Sequence, residues 1–190
     1  MSEHPAERMC AEYFGELLKP LTEAGITFWV AGGAIRAWFQ DRKVTSDIDV
    51  WFPSESEWNK AKAVADKAWR LTKETPATAN YAAGRKWVQL VRKHYFESPE
   101  ATIAAFDFTV ACGATDCVQC YFHEHFFIDL TMRRLAFNNI VYPLSTWRRC
   151  QKYVEKGFRL CPDEEKKLLA AMKEELANST IEDADSRYME

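Results

Sequence analysis

A chain of 190 residues with 47% hydrophobic and 28% charged residues has the make-up of one ordinary globular unit, and a formal net charge of −3 excludes a uniformly basic nucleic-acid-coating protein. No apolar run approaches the roughly 20 residues that cross a bilayer. The opening MSEHPAERMC lacks the basic-then-apolar order of a secretory leader, so action in the cytoplasm, with no membrane partner, is expected. Six cysteines in that setting are expected as free thiols.

From Pro5 to Ala24, Met9, Tyr13, Phe14, Leu17, Leu18 and Leu21 recur at helical spacing and Gly25 ends the pattern, which predicts one amphipathic helix. ITFWVAG is a short run rich in β-formers that ends at glycine, a buried strand, and GAIRAWFQ resumes helical spacing through Ile35, Trp38 and Phe39. DIDVWF alternates polar and apolar residues before Pro53, so a strand is predicted with both aspartates on one face. SESEWNKAKAVADKAW opens with serine and glutamate in capping positions and predicts a helix. Two β-like runs, RLTKETPATANYA and KWVQLVRKHYF, are joined by a hairpin at Gly84. SPEATIAAF predicts a short helix that delivers the chain into a strand at DFTVACGAT, and VQCYFHEHFFIDL predicts another strand.

Helices are expected over 144–158 and 162–177. On the first, Trp147, Cys150, Val154 and Phe158 fall on one side and Arg148, Arg149, Lys152 and Lys156 on the other; the second carries a stripe of Leu168, Leu169, Met172 and Leu176. The sum is an α+β protein: a mixed β-sheet flanked by helices over 1–143, a small helical C-terminal element over 144–178 and a flexible acidic tail over 179–190. Charge is uneven along it, since 163–190 holds nine acids and four bases while Arg133 to Arg159 holds seven bases and only Glu155 as an acid.

Asp47 and Asp49 would project from one strand face about 6.5–7 Å apart along the chain. Two like charges held that close repel unless a cation sits between them, and magnesium, or manganese of similar ligand taste, suits oxygen ligands that share it with phosphates. Gly32 and Gly33 lie between a buried strand and a helix, where backbone N–H groups can approach a phosphate and the helix N-terminus favours an anion. A two-metal phosphoryl-transfer site also needs a third carboxylate on a neighbouring strand, and Asp107 offers one. The basic side of helix 144–158 presents Arg148, Arg149 and Lys152 to phosphate. The bland alternatives, an acidic pair, a tight turn and a solvated helix face, use the same residues.

Hydrophobic-Gly-Gly, a short helix, Asp-hydrophobic-Asp-hydrophobic and a later lone aspartate resemble the polymerase-beta-type nucleotidyltransferase superfamily. Within it, VAGGAIRAWFQDRKVTSDIDVWF is most similar to the head of the tRNA nucleotidyltransferases and bacterial poly(A) polymerases. The resemblance implies the nucleotidyltransferase fold, with two magnesium ions on Asp47, Asp49 and Asp107, and with Asp107 orienting or deprotonating the attacking hydroxyl. It implies phosphate at Gly32 and Gly33 and nucleotide contact by Arg36, which falls on the arginine of the family's Val-Gly-Gly-hydrophobic-Arg-Asp motif; Ala37 stands where the aspartate would be. IDLTMRRLAFNN is similar to the family's ribose-recognising Arg-Asp-hydrophobic-Thr-hydrophobic-Asn-Ala-Leu-Ala-Tyr. Asp129, Thr131, Leu135 and Ala136 match, while Ile128 and Arg133 depart from the pattern by replacing the arginine and asparagine; the resemblance implies Asp129 and Arg133 beside the nucleotide.

The implied reaction moves a nucleoside monophosphate from a nucleoside triphosphate (NTP) to an acceptor hydroxyl and releases pyrophosphate. An RNA 3′ end is the first acceptor; a protein side chain or small-molecule hydroxyl is the second, and a non-catalytic nucleotide-binding module is the third reading. Only about 50 residues follow AFNN, where the RNA-modifying enzymes continue into long helical regions. Cys112, Cys117, Cys120, His123 and His125 lie within fourteen residues, and whether they hold zinc is left open, because no second ligand pair follows. No motif fixes an oligomeric state.

Overall fold

The computed structural model describes residues 4–178; the tail expected over 179–190 lies outside the described residues. In place of one N-terminal helix there are two, α1 (Pro5–Leu17) and α2 (Lys19–Glu23). Pro20 has no N–H to continue the ladder, so α1 closes on a bond from the Leu18 N–H to the Phe14 carbonyl and α2 begins with proline in its first turn.

Strand β1 (Trp29–Ala31), helix α3 (Gly33–Asp41), strand β2 (Ile48–Trp51) and helix α4 (Glu55–Ala68) follow in the expected order. Ser54 caps α4 by accepting the Glu57 N–H at 3.3 Å. RLTKETPATANYA folds as two strands, β3 (Arg70–Glu74) and β4 (Thr78–Ala83), because Pro76 interrupts the ladder. Strand β5 (Lys86–Val91) closes the hairpin through Gly84, whose φ of 62° favours glycine. Helix α5 (Pro99–Ala104) and strands β6 (Gly113–Thr115) and β7 (Cys120–Phe122) come next, then helix α6 (Phe126–Met132) and strand β8 (Arg134–Leu135). Helix α7 (Pro143–Glu155), strand β9 (Arg159–Leu160) and helix α8 (Pro162–Asn178) complete the order.

Three expectations need correction. DFTVACGAT is a 3-10 turn at Thr109–Ala111 with strand only in its last three residues; the Thr109 N–H bonds to the Ala136 carbonyl and its hydroxyl to Asp129, which draws the segment away from the sheet. VQCYFHEHFFIDL is a strand only over Cys120–Phe122, because the Phe126 N–H turns back to the His123 carbonyl and Phe126 and Leu130 are buried at helical spacing on α6. Helix α7 ends three residues before Phe158 at a turn where Gly157 has φ 85°, and Val154, expected on its apolar side, is exposed.

The main sheet has seven strands in the order β3-β4-β5-β2-β1-β6-β7, with β2 and β5 parallel and the other neighbours antiparallel. Ile48, Val50, Val88, Leu90, Ala79 and Tyr81 pack one face against Phe14, Ile35, Trp38 and Trp58, and Cys150, Phe158 and Leu168 from the C-terminal helices join the same core. On the other face Trp29, Ala31, Ile103 and Ala114 form a smaller cluster with Trp51 and Phe106, and the β2-β5-β4 part is left polar. No helix among the described residues is long and apolar enough to cross a membrane.

Gly113 has no room for a side chain: a Cβ there would stand 2.9 Å from Ile35 Cγ2 and 2.9 Å from Phe126 Cε2. Gly113→Ala is expected to cost about 2 kcal/mol, since an added methyl must displace two packed side chains. Urea unfolding measures it, and an unchanged midpoint would show that α3 or α6 moves freely.

Candidate active site

Gly32 and Gly33 make the turn from β1 into α3. Gly32 has φ 92°, its N–H bonds to the Gly113 carbonyl at 2.9 Å, and a Cβ on it would meet Phe106 Cε2 at 3.4 Å, so both conformation and space favour glycine. No side chain caps α3, so the backbone donors of its first turn have no side-chain acceptor. Beside that turn, Ser46 Oγ is buried and has no hydrogen-bond partner, and a Cβ on Gly33 would come within 3.9 Å of it. Ser46 directly precedes the Asp-Ile-Asp triplet, but no local pattern marks a serine there as part of a site.

Asp47 is exposed at the entry to β2 and Asp49 is half-buried within it, both on the face away from the main core. Burial, and secondarily the charge of Asp47, push the Asp49 carboxyl up to about 7. On the parallel neighbour β5, Gln89 stands in register with Asp49, and the register carried one residue back sets Trp87 beside Asp47. The neighbouring-strand position facing the pair thus holds an amide.

Asp107 sits between α5 and the 3-10 turn, its side chain 11% exposed, in an ion pair with Arg149 of α7. Burial raises its carboxyl above the ordinary range, against the opposing pull of Arg149 and Thr146. Its carbonyl accepts the Asn138 N–H at 2.7 Å, and the Asn138 side chain binds the Phe106 carbonyl at 2.9 Å. Phe106 packs at a tilt of 55° against Trp51, two residues beyond Asp49, at 5.6 Å between ring centres. Among the described residues no three Asp, Glu, His or Cys side chains gather closely enough to hold an ion, so Asp107 does not close a set with Asp47 and Asp49 in this conformation; the same holds for Cys112, Cys117, Cys120, His123 and His125. The Cys112 thiol instead donates to the Phe108 carbonyl, and all six cysteines are free.

The remaining predicted contacts divide in two. Arg36 is buried and turned toward α7, with its Nη1 on Gln40 Oε1 at 2.7 Å, its guanidinium 5.6 Å from the Tyr153 ring centre and its Nε unpartnered. Arg133 donates to the Lys156 carbonyl at 3.3 Å, and the charges of Arg36 and Lys152 add to burial in lowering the Lys156 amine. Arg36, Arg133 and Lys152 therefore gather around Lys156, while Arg148 is exposed on α7 and Arg149 is engaged with Asp107. Asp129 is fully buried, one oxygen accepting Thr109 Oγ1 at 2.6 Å and the other Arg134 Nε at 2.6 Å. Asp107-Phe108-Thr109-Val110 shows the same Asp-hydrophobic-Thr-hydrophobic order as Asp129-Leu130-Thr131-Met132, and the Thr109–Asp129 bond joins the two segments.

A family model described as Gabija anti-defense 2 family protein matches residues 6–133. No curated protein matches the chain. A CCA-adding enzyme in complex with ATP aligns with 88% of this chain and 44% of its own at 18% identity and a TM-score of 0.66. A tRNA nucleotidyltransferase with a primer tRNA and an incoming ATP analogue aligns with 84% of this chain and 51% of its own, at 18% identity and a TM-score of 0.61. For the Thermotoga maritima CCA-adding enzyme with tRNA the figures are 85%, 42%, 19% and 0.60. The chain thus spans about half the length of these structures, and the fold is that of a nucleotidyltransferase head.

Proposed function

The chain belongs to the Gabija anti-defense 2 family, and we propose that it acts against that defence, in the cytoplasm, as a metal-dependent nucleotidyltransferase. It would move a nucleoside monophosphate from an NTP to an acceptor hydroxyl, an RNA 3′ end first, and release pyrophosphate. The observation that carries this reading is the meeting of Asp47 and Asp49 with an uncapped helix N-terminus and the orphaned Ser46 hydroxyl.

These residues fit a divalent cation with a triphosphate: the ionised pair is unfavourable without a cation, and the buried Ser46 hydroxyl beside the glycine turn has no partner of its own. Asp47 and Asp49 would hold magnesium or manganese, which when bound neutralises phosphate charge and polarises the α-phosphorus. The first-turn N–H groups of α3 and the Ser46 hydroxyl would donate to phosphate oxygens. Asp107 is the candidate to orient the acceptor and take its proton, with Arg149 holding its carboxylate in place. The acceptor oxygen bonds to the α-phosphorus as the bridging P–O bond to the β-phosphate breaks, and pyrophosphate leaves. The basic group around Lys156 supports contact with further phosphates.

Incubation with labelled NTPs, magnesium and total RNA is expected to label RNA and release pyrophosphate; label on protein alone would overturn the RNA acceptor. A second reading, nucleotide binding without transfer, is favoured by Gln89 where an acid would complete the set, and NTP bound with no pyrophosphate released under any acceptor would establish it. Ser46→Ala is expected to weaken NTP binding about ten- to a hundredfold, the worth of one hydrogen bond to a charged oxygen. Thermal stability should hold or rise, because the hydroxyl lost is unpaired; an unchanged Kd in equilibrium titration would remove Ser46 from the site.

A further inference from the structure

The polar strip beside the aspartate pair has no place in the donor chemistry. It is the outer face of β5, β4 and β3, where Asp47, Thr72, Lys73, Asn80, Trp87 and Gln89 line a cavity of about 280 Å³. Three features distinguish it from an ordinary sheet surface. Trp87, the second residue of β5, is 50% exposed on the strand's outer face, where its indole offers a stacking surface to a ligand. Gln89 Nε2 donates to Asn80 Oδ1 at 2.7 Å across the β4–β5 pair, which leaves a carbonyl oxygen on Gln89 and an N–H on Asn80 side by side. Lys73, Arg70 and the hairpin residue Arg85 are exposed around the strip, and Glu74 is drawn off by Lys62 at 3.3 Å.

An exposed ring, a paired donor and acceptor and surrounding cations are the means by which proteins hold an unpaired nucleotide: stacking on the ring, contact with a base edge, charge on the backbone. Position supplies the rest. Because β2 and β5 are parallel and in register, Trp87 and Gln89 flank the two aspartates, so a base on Trp87 would carry its ribose toward Asp47. We infer that this face is the acceptor subsite and takes the unpaired 3′-terminal nucleotide of a single-stranded RNA, its base on Trp87, its base edge on the Gln89–Asn80 pair and its backbone phosphate on Lys73. A protein acceptor has less to recommend it here, since the carboxylates beside the strip, Asp47 and Asp49, are the pair assigned to the cation, and its lining forms no deep apolar pocket for a side chain. The inference rests on the nucleotidyltransferase reading for its purpose, while the binding it asserts stands on its own.

Fluorescence anisotropy with a 5′-labelled single-stranded oligoribonucleotide, a blunt duplex of the same sequence and an unrelated labelled peptide tests it, with NTP binding in magnesium measured in parallel. The single strand is expected to bind best. Trp87→Ala should weaken it at least about tenfold, Trp87→Phe should keep it within about threefold, and Lys73→Ala should flatten its salt dependence. NTP affinity should not change in any of these outward-facing variants. Equal binding by wild type and Trp87→Ala, or a preference for duplex or peptide, would overturn the subsite. If RNA fails to bind while NTP binds, the subsite falls and the nucleotidyltransferase reading stands; if RNA binds through Trp87 but NTP with magnesium does not bind, the reverse holds.

Discussion

Asp49→Asn is expected to lower nucleotidyl transfer by about a thousandfold or more and at the same time to stabilise the metal-free protein at pH 8. Both effects come from one carboxylate. Asp49 is half-buried two residues from Asp47, and burial first, then the neighbouring charge, raise it from an ordinary 3.8 to about 7. A carboxyl raised on folding gives stability that is fully present below its ordinary value and is lost as pH rises through the folded one, so the loss falls between about pH 4 and pH 7. Above pH 7 the penalty is on the order of 2–4 kcal/mol. Asparagine is neutral throughout and escapes it. Magnesium should relieve the same penalty in the wild type, raising its Tm at pH 8 far more than at pH 5.5, and should do nothing of the kind for Asp49→Asn. Thermal unfolding at the two pH values with and without magnesium, beside a pyrophosphate-release assay, measures all of this. A wild-type Tm indifferent to magnesium at pH 8 would remove the cation from this pair.

The donor side of the site was legible because its signals are local. The strand, the glycine turn, the helix and Asp-Ile-Asp all fall between Phe28 and Phe52, and each follows from periodicity or from a backbone conformation that glycine alone adopts easily. Asp107 was found by residue type, but its partner was not: Arg149 lies 42 positions away, on a helix whose cations all look alike in sequence. The Asp-hydrophobic-Thr-hydrophobic order occurs twice, and local pattern does not show that both copies lock together through Thr109 and Asp129. The acceptor strip was hidden for a different reason. Trp87 and Gln89 look like ordinary strand residues until β5 is known to run parallel to β2, and that pairing joins residues 40 positions apart, Asp49 and Gln89. The strand expected at DFTVACGAT was misread for the same reason, since long-range bonds from Thr109 override β-forming composition, whereas HEHFFIDL leaves the strand at a local turn from the Phe126 N–H to the His123 carbonyl.

The same long-range lock gives the largest expected loss of stability. Asp129 is wholly buried and its charge is met by Arg134, whose side chain is 38% exposed, with Thr109 filling the other oxygen. Arg134→Met removes the cation and leaves the carboxylate in the core with one neutral donor, which should cost about 3 kcal/mol. The reverse change is gentler: Asp129→Asn keeps an acceptor for the Thr109 hydroxyl and frees Arg134 to turn toward water. Urea unfolding separates them, with Arg134→Met giving the lower midpoint; equal midpoints would show that the ion pair is not what holds the turn. The lock also reaches the chemistry. Thr109 is two residues from Asp107, so a loosened turn should misplace Asp107 without touching Asp47 or Asp49. In Arg134→Met, NTP binding in magnesium should therefore survive at temperatures where the protein is folded, while any transfer rate falls. A parallel loss of both would assign the effect to unfolding alone.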